Sequence, residues 1–191
     1  MSSDAAARRR RFNALDPAGF DDDQKSVFAK LSRSTADPLN GIGGMWLRSP
    51  KMAAELMRLI GYFAVHPSLP APLRELAIIV TARHWEAQLE WDIHSRRALE
   101  AGVDPKVVAA VGEGGRPPPE HAQEAAVAAF CSELLEDRFV SSATFAAVRG
   151  MFDDRQIVDL IATIGSATMS SLFLNIQAPD RPVFRAAPAA T

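Results

Sequence analysis

What this 191-residue chain lacks narrows its chemistry first. It holds a single cysteine, Cys131, so no disulfide can close within the chain. A mechanism that needs an attacking and a resolving thiol in one chain is excluded as well. Cys131 lies in the apolar run AAVAAFCSELL, the pattern of a buried core position where the thiol acts as a small hydrophobe. Charge of one sign is also missing. Lys and Arg number 21 against 23 Asp and Glu, a formal net charge of −2, which gives no electrostatic reason to expect nucleic acid or a membrane as partner. No apolar run is expected to reach the length of a membrane span. There is no HExxH pattern or second clustered histidine, and no dinucleotide or flavin fingerprint, so neither a metal nor a cofactor is expected. The one glycine-rich stretch, Asn40-Gly41-Ile42-Gly43-Gly44, follows no strand and lacks the Lys-Ser/Thr of a phosphate loop. It reads as a flexible loop.

What remains is ordinary for a globular protein: 48% hydrophobic and 23% charged residues, at a length that suits one domain with room for an internal duplication. Residues 1–19 are expected to form a disordered arm, 20–180 a single all-α domain, and 181–191 a tail. The arm contains four consecutive arginines at 8–11, but the polar NALDPAGFDDDQ that follows is not the apolar segment of a secretory signal. A solvated tail is the reading, a basic arm on an acidic partner the alternative. One cysteine suits a reducing compartment, here the cytoplasm.

The periodicity is helical almost throughout. Asp21 or Asp22 caps a helix through Val27, Phe28 and Leu31. Ser49-Pro50 opens KMAAELMRLIGYFAVH. Pro70 and Pro72 introduce LRELAIIVTARHW, apolar nearly all round over 76–82 and therefore a central buried helix. Gly102 ends the next helix and Asp104-Pro105 starts a short one. GEGGRPPPE, residues 112–120, is the clearest internal break, joining two helical groups and not two independent domains. EAAVAAFCSELLED, a Ser-capped SSATFAAVRGMF and the long DDRQIVDLIATIGSATMSSLFLN complete the chain.

The chemistry concentrates in residues 74–102, RELAIIVTARHWEAQLEWDIHSRRALEAG. Glu90 and His94, four apart, share a helix face. A carboxylate beside an imidazole, with Trp91 at its flank, is a candidate general acid–base pair. The alternative is a rim pair stabilising the helix by a few tenths of a kcal/mol. Glu75 stands on the apolar segment just before. Arg83 suits a substrate carboxylate, and Trp46 could close over a pocket. The alternatives are a surface position for Arg83 and a core position for Trp46.

This stretch resembles the carboxymuconolactone decarboxylase family, which includes the alkylhydroperoxidase D-like proteins. The peroxidase branch carries Glu, then Cys-x-x-Cys, then x-x-x-His. On this chain the Glu falls on Glu75, the His on His94, and the two cysteines on Ala87 and Glu90. With RALEAG and the helical segment 121–179, the resemblance runs from about Phe20 onward, and it fits the decarboxylase-like branch lacking the thiols. It implies an alkylhydroperoxidase D-like helical bundle, assembled as a trimer or hexamer of identical chains. It also implies a cofactor-free lyase acting on a small carboxylated lactone or other organic acid of aromatic catabolism. In that reading His94 shuttles the proton, Glu90 orients it, Glu75 stands behind, and Trp46, Arg83 and Trp91 contact substrate. A hydrolase or isomerase using the same pair, and a non-enzymatic oligomeric scaffold, are the alternatives.

Overall fold

The structure, a computed structural model, describes residues 11–66, 68–177 and 183–186, and among these the chain is helical with no strand. The described residues fall into two compact units: 11–65 with 173–177, and 66–172 with 183–186.

The first unit holds α1 (Asp22–Ser34), α2 (Gly41–Trp46) and α3 (Pro50–Val65). Asp21 opens α1 with a reciprocal cap. Its carboxylate accepts from the Gln24 amide at 2.7 Å, and the Gln24 side chain accepts from the Asp21 amide at 3.1 Å, an arrangement worth about 1 kcal/mol. Gln24 Nε2 also donates to Leu47 O at 3.0 Å, tying α1 to the end of α2. Phe20, Val27, Leu31, Trp46, Leu47 and Ala53 form the core.

The glycine-rich stretch corrects an expectation. It is the helix α2, not a flexible loop. A Cβ at Gly43 would stand 2.4 Å from Pro38 O, and one at Gly44 2.2 Å from Leu39 O. The glycines serve close backbone packing, not phosphate contact. The expected N-terminal arm is described from Arg11 on. Arg48 donates to Asn13 O and lies over the Phe12 ring, and Asp16 caps a short 3₁₀ turn at Pro17–Gly19. The arginines at 8–10 lie outside the described residues, as does most of the expected tail.

The second unit is built around α4 (Ala71–His84), followed by α5 (Gln88–Glu100), α6 (Pro105–Gly112), α7 (Ala122–Ser132), α8 (Ser142–Arg149) and α9 (Asp154–Asn175), the last belonging to this unit as far as Leu172. As its apolar circumference predicts, α4 is the buried centre. Leu76, Ala77, Ile79 and Ala82 are inaccessible, and α5, α6 and α7 pack on it. Burying a Leu or Ile side chain in this way contributes about 1.5–3 kcal/mol. A three-residue corner at 85–87 turns α4 into α5. Glu86 there adopts the left-handed conformation at φ 50°, and the Ala87 amide donates to Ala82 O at 2.9 Å. Gly102, at φ 97°, ends α5, and Asp104 caps α6 by accepting from the Lys106 amide at 2.7 Å.

The break at 112–120 does not divide units, since α4 packs directly on α7 beyond it. The helix expected through Asp137 changes character. After Ser132 it widens into a π-helical turn, Glu133–Asp137, closed by Arg138 at φ 60°. Among the described residues one helix, α9, is long and apolar enough to cross a membrane by length and composition, which corrects the expectation that no stretch is. Here it gives Ile157, Leu160 and Ile164 to the core shared with Trp91, Phe130 and Cys131. Residues 183–186 return to the start of α5. Arg185 exchanges two hydrogen bonds with Gln88, donating its amide at 2.7 Å and accepting at 3.2 Å.

Candidate functional site

The short corner between α4 and α5 lays two helices side by side, and that brings Glu75 to His94. His94 Nδ1 lies 2.7 Å from Glu75 Oε2, while Arg74 Nη2 reaches Glu75 Oε1 at 3.3 Å. On the other side of the ring, His94 Nε2 faces Glu90 Oε1 across 3.7 Å, beyond hydrogen-bonding distance. All three side chains are largely enclosed yet keep an edge to solvent: 15% of the His94 side chain, 12% of Glu90 and 9% of Glu75 are accessible.

The two carboxylates are pushed apart in acidity. Burial pushes Glu75 up, but the hydrogen bond from His94, the His94 charge and Arg74 together outweigh it and hold the group below its ordinary value. Burial also pushes Glu90 up. His94 and Arg97 pull it back, Glu75 adds to the rise, and the net displacement is upward. The position of Glu90 in the first turn of α5 favours its anion, yet burial prevails. An ionised Glu75 can only accept, so Nδ1 carries the donated proton and Nε2 is the atom turned toward Glu90.

These contacts revise the expected division of labour. The i,i+4 spacing singled out Glu90 as the partner that orients His94, whereas the carboxylate bonded to the ring is Glu75. Two further charged groups act on the cluster, Arg74 by contact with Glu75 and Arg97 through its charge on Glu90. Arg97 was legible, being three residues after His94 and thus on the same face. Arg74 was not, because a residue adjacent in sequence gives no facing signal.

Three expected substrate-binding residues lie elsewhere. Trp91 is wholly buried in the core, its ring edge-on to Phe184 at 5.5 Å. Trp46 is a core residue of the first unit. Arg83 lines a groove of about 590 Å³ that none of Glu75, Glu90 and His94 lines. Among the described residues, no group of three or more His, Cys, Asp or Glu is arranged to hold a metal ion. Cys131 is buried, and burial holds its thiol far above the ordinary range, so it offers no thiolate.

No known family model matches this chain, and no curated protein matches it. The geometry therefore carries the functional argument.

Proposed function

We propose that the protein is a cofactor-free acid–base enzyme of the cytoplasm, a carboxymuconolactone decarboxylase-like lyase acting on a small carboxylated lactone or related organic acid. One observation carries this reading: His94 is bonded through Nδ1 to an ionised carboxylate while Nε2 faces a second, protonatable carboxyl across a 3.7 Å gap. Two carboxyl groups whose environments drive their acidities apart, on either side of one imidazole, form the pattern of an acid–base site.

In this mechanism Glu75 fixes the tautomer and the orientation of the ring, and Arg74 steadies Glu75. Nε2 exchanges a proton with the reacting carbon or oxygen. Glu90, raised by burial, holds or returns that proton at a higher pH than an exposed carboxyl. Loss of CO₂ leaves an electron pair on carbon that must be protonated, and the Nε2–Glu90 side of the cluster supplies the proton. Such a transfer contributes about 10²–10⁴-fold in rate. The test is a screen of small carboxylated lactones for CO₂ release. His94→Ala is expected to lose about 10²–10⁴-fold in kcat with its fold intact. In Glu90→Gln the pH–rate profile loses the limb set by that carboxyl. Full activity in a folded His94→Ala chain overturns the assignment.

The protein is further proposed to be a homo-oligomer, a trimer or hexamer. Val158, Ile161 and Leu172 are 62%, 45% and 47% exposed along one face of α9, an apolar stripe that a second copy of the chain would cover. Light scattering that returns the 20.7 kDa chain mass at micromolar concentration counts against it.

A further inference from the structure

We infer that the groove between α4, the 112–117 loop and α7 is a separate binding site for a small monocarboxylate with an apolar body, anchored by Arg83. Its volume of about 590 Å³ falls within the roughly 300–1,000 Å³ of small-molecule sites. Its floor is apolar, with Val80, Val111 and Ala128 buried and Ala129 beside them.

Arg83 is what gives the groove a chemical preference. Its Nε donates to Gly112 O at 2.9 Å, and its guanidinium stands 4.6 Å over the ring of Phe184. The plane of the group is thus fixed from two sides without any charge being neutralised. Among the described residues no carboxylate forms an ion pair with it. A guanidinium held in one plane loses little freedom when it binds a carboxylate with two parallel hydrogen bonds.

Gly114 keeps that group accessible. It adopts φ 78°, and a Cβ there would press within 3.3 Å of Arg83 Nη2. Two independent demands, backbone conformation and space, call for glycine at this position. Arg116, exposed on the same lining, carries a second positive charge, part of which acts on Glu133.

The acidic residues of the lining set the ligand's charge. Glu133 is consumed by the start of α8, accepting from the Ser141 amide at 2.7 Å and from the Ser141 and Thr144 hydroxyls. Glu136 and Asp137, on the π-helical turn, are exposed, and neither is in an ion pair among the described residues. They repel a second acid group on the ligand, so a monoanion is favoured over a dianion. π-Helical turns recur at functional sites, and this one forms part of the groove's wall. The assignment is independent of the acid–base reading, since the cluster residues do not line the groove.

The test is calorimetric titration of the full chain with phenylacetate and with its uncharged counterpart phenylacetamide. Phenylacetate is expected to bind saturably, and phenylacetamide about tenfold or more weakly, the effect of one charge-assisted hydrogen-bond pair. Arg83→Gln should weaken phenylacetate by about the same factor. Ala129→Phe, which fills the floor, should remove binding, and His94→Ala should leave it unchanged. If Arg83→Gln does not fold, the amide comparison and Ala129→Phe decide. No saturable binding, equal affinity for the amide, binding that survives Ala129→Phe, or binding lost in His94→Ala each overturns the proposal.

Discussion

At the Glu75–His94 cluster the carboxylates face the imidazole, whereas Arg83, on the same helix α4, is held by a carbonyl and an aromatic face, with no ion pair to a carboxylate among the described residues. The first arrangement is largely enclosed, and its charged groups face one another. Its mutual contacts set which oxygen and which ring nitrogen carry protons, which is a condition for chemistry. The second is open, with its positive charge unspent, which is a condition for recognition. One helix presents both because Glu75, in the first half of α4, faces His94 on α5, while Arg83 stands near the C-terminal end, bonded to Gly112 O.

The largest effect expected from this contrast is on stability. Glu75→Ala strips a hydrogen-bond partner from the enclosed His94 ring and one contact from Arg74, and should cost about 3 kcal/mol. Arg83→Ala removes one hydrogen bond and one ring contact and should cost about 1 kcal/mol. Urea denaturation of both variants measures the difference, and equal losses would break the comparison. Next is Gly114→Ala, expected to cost about 1–2 kcal/mol for forcing a side chain into the left-handed region, again read by urea denaturation.

A smaller effect appears in the pH dependence of stability. Glu75 has a lowered folded-state value, so its stabilisation is present above the unfolded carboxyl value and is lost as pH falls through the folded one. Glu90 has a raised value, so its contribution is present below the unfolded value and is lost as pH rises through the folded one. Relative to wild type, Glu90→Gln should therefore gain stability as pH rises across this window, and Glu75→Gln should lose it. Denaturation midpoints measured between pH 3 and 8 test this, and slopes of the same sign would show that the two carboxyls do not differ as described. The smallest effect is at Cys131, which belongs to neither site. Its buried thiol should stay unlabelled by a thiol reagent in the native chain and react once the chain is unfolded.

The sequence carried the helices well and the contacts poorly, for identifiable reasons. Caps such as Asp21 and Asp104 and the all-round apolar α4 are local patterns, and local patterns survive folding. The choice between Glu75 and Glu90 as the partner of His94 depends on how α4 lies against α5, which no spacing records. Gly43 and Gly44 read as loop residues because their use, contact with the carbonyls of Pro38 and Leu39, is tertiary. Trp46 and Trp91 carry polar handles that suggest a pocket, but their packing is set by neighbours far along the chain. Phe184, in a stretch read as tail, gave no signal that it would cover both Trp91 and Arg83.

That last contact also fixes an order of events during synthesis. Gln88 and the Arg185 backbone that binds it are 97 residues apart. At about 5–20 residues per second, roughly 5–20 s pass between the emergence of one and the other. Through that interval the α4–α5 pair exists without the cover over Trp91, and its indole edge is open to any other apolar surface nearby. A nascent chain stalled before residue 184 therefore presents the open edge that chaperones are suited to recognise, and it is the emergence of Phe184 and Arg185 that closes it.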